Sequence, residues 1–129
     1  REFSAAPAET CEGIAAGIAD LSADMWFTSE SDYRLDVRTF ETTPTVDTIG
    51  DIVDAPAGTR IGTDTLDRFF EQLGSTNDEQ DVQALRDYLE TSLSDLRVLR
   101  VGEIQVQVFV IGTTPCGGAA GISSISIET

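Results

Sequence analysis

Carboxylates make up most of the side chains in this sequence that could do chemistry. The chain has 23 Asp and Glu against 8 Arg, with no Lys and no His, for a net charge of −15 at pH 7. Without His, no Ser/His/Asp or Cys/His nucleophile can be assembled, and the commonest general base and metal ligand is missing. Two acids suffice for glycoside hydrolysis. Such acids usually line a cleft with aromatics, however, and the single tryptophan, Trp26, reads as core beside Met25 and Phe27. The run "DEQD" at 78–81 could hold a cation, but at a helix start it reads better as favourable charge on the helix dipole. "DIVD" at 51–54 lacks calcium-loop spacing. "GTTPCGGAAG" is Gly-rich, yet it has no P-loop Lys and precedes a strand. It reads as a tight loop. No catalytic residue is assigned, and no cofactor is expected.

Cys11 and Cys116 are too far apart in sequence for a CxxC redox or zinc motif. One disulfide between them and two separate buried thiols both stay open. Nothing around either favours an activated thiol nucleophile. The charge balance repels nucleic acid and anionic membranes and attracts cationic surfaces. Its plain alternative is solubility, including in a high-salt habitat. No apolar run reaches the length of a membrane span. No secretory signal is visible. The small, Ala-rich "SAAPAET" favours export, secreted or periplasmic, over a cytoplasmic location.

One exposed segment stands out. "TSESDY" puts Glu30 between two serines in a turn, with Ser31 and Asp32 following. A solvated turn is the plain reading. A loop glutamate can also insert between a partner's arginines as a bidentate pair.

The elements that must position these residues come from periodicity. Residues 1–8 read as a flexible lead-in, with "REF" set aside as a cloning scar, and 9–129 as one domain. A helix is expected over about 9–24, with Cys11, Ile14, Ile18 and Leu21 on one face. Gly13 and Gly17 weaken it or permit close packing on a sheet. "YRLDVRTFE" alternates as one half-exposed strand. A short strand is expected near 49–53. Thr63 or Asp64 caps a helix running to Leu73, which Gly74 ends, and Asn77 or Asp78 caps the next. That long helix carries Val82, Leu85, Leu89, Leu93 and Leu96 in one stripe. Two strands then join at Gly102, with Ile104, Val106, Val108 and Val110 alternating, and 122–127 is the final strand. Short links make these strands antiparallel neighbours. The fold class is α+β, a sheet with helices packed on it. Helices on both faces would make a three-layer sandwich.

Two stretches together carry a resemblance. "RVGEIQVQVFVIGTTPCGGAAGISSISIET" resembles the C-terminal part of the nuclease A inhibitor family. "FTSESDY", followed by "RLDVRTF", resembles its N-terminal part. The strong similarity covers about the last quarter plus the "SESDY" segment. The resemblance implies a three-layer αβα sandwich with a mostly antiparallel sheet, likened to the pathogenesis-related class 1 fold. It also implies a small acidic protein, not an enzyme, that blocks a sugar-non-specific, metal-dependent nuclease. The family's inhibitory glutamate falls on Glu30, and its C-terminal threonine, which reaches toward the nuclease's catalytic metal, on Thr129.

Physical expectations follow from that carry-over. A nuclease that takes any nucleic acid needs a cationic groove, and a strongly acidic protein is steered into it. Glu30, Ser31, Asp32, Glu128 and Thr129 are the expected contacts. Thr129 offers a hydroxyl and, as the last residue, a carboxylate, both suited to a partner's Mg²⁺. The protein is expected to be a monomer when free, without direct nucleic-acid or membrane binding. Two departures stand out. "GSTNDEQD" is shorter than the family's segment before the long helix and lacks its aromatic, and both cysteines are atypical. An acidic binding protein of the same fold with another partner is the alternative function.

Overall fold

The structure, a computed structural model, describes the backbone of residues 10–128 and side chains from residue 13. The lead-in at 1–8, the Cys11 side chain and Thr129 lie outside the described residues. In chain order the elements are α1 (Thr10–Ser22), β1 (Trp26–Thr28), β2 (Asp32–Arg34), β3 (Asp36–Phe40), α2 (Ile49–Ile52), β4 (Ile61–Asp64), α3 (Leu66–Gly74), α4 (Glu79–Ser92), β5 (Ser94–Val101), β6 (Gln105–Thr113) and β7 (Ala119–Ile127).

Five strands form one sheet in the order β3-β7-β6-β5-β4, and β1 pairs with β2 in a separate hairpin. Every neighbouring pair is antiparallel. The fold is therefore α+β with an antiparallel sheet. Alternation along the central strands sends side chains to two faces. Val98, Val106, Val108, Val110, Ala120 and Ile122 meet Ile14 and Ile18 of α1, Phe69, Phe70 and Leu73 of α3, and Val82, Leu85 and Leu89 of α4. Leu99, Val101, Phe109, Ile111 and Ala119 form a second cluster, with Ile49 of α2 and flanking Phe40, Val53 and Ala55. Both sheet faces are thus covered, one by three helices and the other by a single turn of helix and its loop.

Local chemistry sets the helix ends. The Thr65 side chain accepts from the Arg68 amide at 3.1 Å and caps α3. Asp78 accepts from the amides of Gln80 and Asp81 at 2.9 and 3.2 Å and caps α4. Each satisfies N–H groups that the first turn leaves without a partner. Gly17 allows close packing as expected, though onto a helix: a Cβ there would collide with the Tyr88 ring of α4. At Gly121 a Cβ would strike the Val110 backbone carbonyl, so β6 and β7 approach at a distance only glycine permits.

Several expectations are corrected. Ile49–Ile52 is a helical turn, not a strand, with the Ile49 amide bonded to the Thr45 carbonyl at 2.8 Å. Only Ile49 of α2 is buried. The strand expected over 33–38 is two, β2 and β3, in different sheets. β4 went unforeseen, so the cap of α3 moves to Thr65. Leu93 adopts an extended conformation (φ −122°, ψ 152°) that ends α4, so Leu96 belongs to β5. The last strand starts at Ala119. Trp26 is not core. It is 39% exposed, because in a strand it points opposite to the buried Phe27. Ile104 is not in a strand but in the β5–β6 turn, 63% exposed.

Candidate functional site

Glu30 is exposed at the apex of the β1–β2 hairpin. The turn spans 29–31, since Thr28 pairs with Asp32. Within it the Ser29 amide donates to the Ser31 carbonyl at 3.0 Å. Below it, Phe27 stacks on Phe69 of α3 with ring centroids 5.1 Å apart. The Gln72 side-chain amide donates to the Thr28 carbonyl at 2.9 Å. The hairpin is thereby fixed to α3 by an apolar contact and a polar one. Ser31 and Asp32 are exposed beside Glu30.

The end of β7 reaches the same place. The Ile127 amide donates to Ser29 Oγ at 2.8 Å, and the Glu128 amide donates to the Ile104 carbonyl at 2.7 Å. Successive residues are held from opposite sides, one by the Glu30 turn and one by the β5–β6 turn. Glu30, Ser31, Asp32 and Glu128 therefore lie at one end of the molecule. Further back along β7, Ser124 Oγ donates to the Arg34 carbonyl at 2.9 Å and ties the root of the hairpin to the same strand.

The Glu128 carboxylate is engaged within the protein. It pairs with the Arg100 guanidinium and accepts from Ser126 Oγ at 2.9 Å. Partial burial pushes its pKa up, but the hydrogen bonds from Arg100 and Ser126 and the charges of Arg100 and Arg68 outweigh that. The carboxyl sits below its ordinary range. Arg100 also faces Asp64 at 3.8 Å, and Asp64 faces Arg68 at 3.6 Å. This ionic chain crosses β4, β5 and the end of β7. It forms one wall of an open polar groove of about 640 Å³ that Glu71 and Gln72 of α3 also line.

Other expected features fall elsewhere. Asn77, in the segment before α4, frames the backbone of Trp26. It accepts from the Trp26 amide at 3.0 Å and donates to its carbonyl at 2.7 Å. An exposed aromatic, stacked under Arg34 at 4.8 Å, thus sits beside a segment that has none of its own. Cys116 lies on the exposed β6–β7 loop, away from Glu30, and no free cysteine occurs among the described residues. No group of three or more metal-binding side chains occurs among them either, and no helix there is long and apolar enough to cross a membrane.

Sequence reasoning missed Ser29, Arg100 and Ile104. Ser29 and Arg100 act through partners remote in sequence, which no local pattern reveals. Ile104 did carry a signal, a large β-branched residue two positions after a turn glycine. The alternation of the following strand absorbed it.

A small acidic α+β domain thus presents the β1–β2 turn and the end of β7 at one end. The family model described as nuclease A inhibitor-like protein (NuiA) matches residues 12–129. The chain belongs to that family. No individual curated protein matches it.

Proposed function

We propose that this protein inhibits a sugar-non-specific, metal-dependent nuclease by occluding its cationic active site. The observation that carries the reading is the Ser29–Ile127 hydrogen bond, which brings the Glu30 turn and the end of β7 together. In this reading Glu30 takes the place of a substrate phosphate between basic side chains of the nuclease. Ser31 and Asp32 extend that contact. Glu128 directs Thr129, whose hydroxyl approaches the nuclease's metal directly or through a retained water. The inhibitor supplies no catalytic group and holds no metal of its own. Its net charge of −15 speeds encounter with the cationic groove. The free protein is a monomer, and the exported form carries a Cys11–Cys116 disulfide.

In the open polar groove, Glu128 is engaged by Arg100 and Ser126 rather than poised as a general acid. A general acid needs a raised pKa, and the Glu128 carboxyl is shifted the other way. The test is a nuclease assay with Glu30→Ala and with Thr129 removed. Each weakens inhibition while the thermal midpoint stays put. Full inhibition by both variants would sink the assignment of the interface.

A further inference from the structure

We infer that Ile104 is an apolar anchor of the same interface, and that the nuclease carries an apolar shelf at the edge of its cationic groove. The inference rests on the inhibitor reading above. Ile104 is the most exposed of the large apolar residues described, at 63%. Single exposed aliphatics are ordinary on a protein surface, so exposure alone carries little. Position carries more. The Ile104 carbonyl holds the Glu128 amide at 2.7 Å, so the residue stands directly beside the end of β7. Ser29 holds the neighbouring amide, of Ile127. The β5–β6 turn and the Glu30 turn thus flank the same two residues.

The fold itself asks for no isoleucine here. Gly102, with φ +120°, supplies the left-handed backbone that the turn needs. A Cβ at Gly102 would meet the Gln105 carbonyl, so the glycine is fixed by geometry. The side chain at 104 joins neither buried cluster. A turn tip favours Asn, Asp, Gly or Ser, and in a chain this acidic a polar residue would be the neutral choice.

Binding physics supplies a use for it. Acidic groups steer a partner and fix register, whereas affinity concentrates in a desolvated apolar centre ringed by polar groups. Glu30, Asp32, Glu103 and Glu128 are exposed polar groups of these segments. Ile104 supplies the apolar centre they would otherwise lack.

The experiment measures the inhibition constant of the wild-type protein and of Ile104→Ser, Ile104→Glu and Glu30→Ala. The panel is sugar-non-specific, metal-dependent nucleases, with a thermal midpoint for each variant. Both Ile104 variants should keep the wild-type midpoint, since the side chain is exposed. Ile104→Ser should weaken inhibition about tenfold to a hundredfold, the scale of one lost buried aliphatic, and Ile104→Glu at least as much. If Glu30→Ala weakens inhibition while both Ile104 variants inhibit like wild type, the apolar anchor is overturned and the inhibitor reading stands. If the wild type inhibits none of the panel, the inhibitor reading falls and the anchor with it.

Discussion

Ser29 and Ile127 stand 98 residues apart in sequence and share one 2.8 Å hydrogen bond between a side-chain oxygen and a backbone amide. That bond makes one surface out of two segments that no local pattern connects. Ser29→Ala removes the acceptor and leaves the Ile127 amide without it. The expected cost is about 1 kcal/mol in global stability. Inhibition should fall further than that loss explains. Hydrogen exchange at the Ile127 amide, read beside a urea melt, separates the local loosening from general destabilisation.

Glu128 gives a pH prediction with a definite sign. Its folded pKa lies below its unfolded value. The Arg100 and Ser126 contacts therefore contribute stability that is fully present above the unfolded pKa, about 4.3. That contribution is lost as pH falls through the folded value. Glu128→Gln should lower stability at pH 7, by less than about 1 kcal/mol because the pair is partly exposed. The gap between wild type and variant should close as pH drops below about 4. A gap that stays constant down to pH 3 would mean that the ion pair contributes nothing.

Association should depend on salt. Charges separated by more than about 8 Å are screened at physiological ionic strength. Raising salt from 50 to 500 mM should cut the association rate at least tenfold and change the dissociation rate little. Stopped-flow or surface-binding kinetics would show it. A salt-insensitive association rate would argue against steering by the net charge.

The proposed Cys11–Cys116 bond would close a loop on the order of 100 residues, worth about 4.7 kcal/mol in the chain-entropy account. Intact mass after alkylation without reductant should show no added label, and reduction should admit two. Two labels without reductant would remove the bond.

Gly121→Ala tests the packing beneath the site. The new methyl group would meet the Val110 carbonyl, a backbone atom that cannot swing aside. A loss of about 1–3 kcal/mol is expected, read as a lower urea midpoint with the slope unchanged.

What the sequence made legible was what repeats locally. The stripe Val82, Leu85 and Leu89 marked α4, Asn77 or Asp78 marked its cap and Asp78 took it, and Gly102 marked the β5–β6 turn. Segments only four residues long were misread. Ile49 and Val53, four apart, follow helical spacing, but β-branched residues over five positions also fit a strand. β4, four residues long, had too little alternation to register. The exposure of Glu30 in a turn was legible. Its convergence with β7 was not, because long-range pairing leaves no trace in the spacing of either segment.

The place of β7 in the sheet has a consequence for biogenesis. It follows every other described element, yet it sits inside the sheet, between β3 and β6. A chain emerging from the ribosome can complete α3, α4 and the β5–β6 hairpin while β3 still lacks a partner. Insertion of β7 closes the sheet and brings Glu128 to the Glu30 turn in one event. A chain that stops short of β7 would leave both β3 and β6 with an open edge inside the sheet.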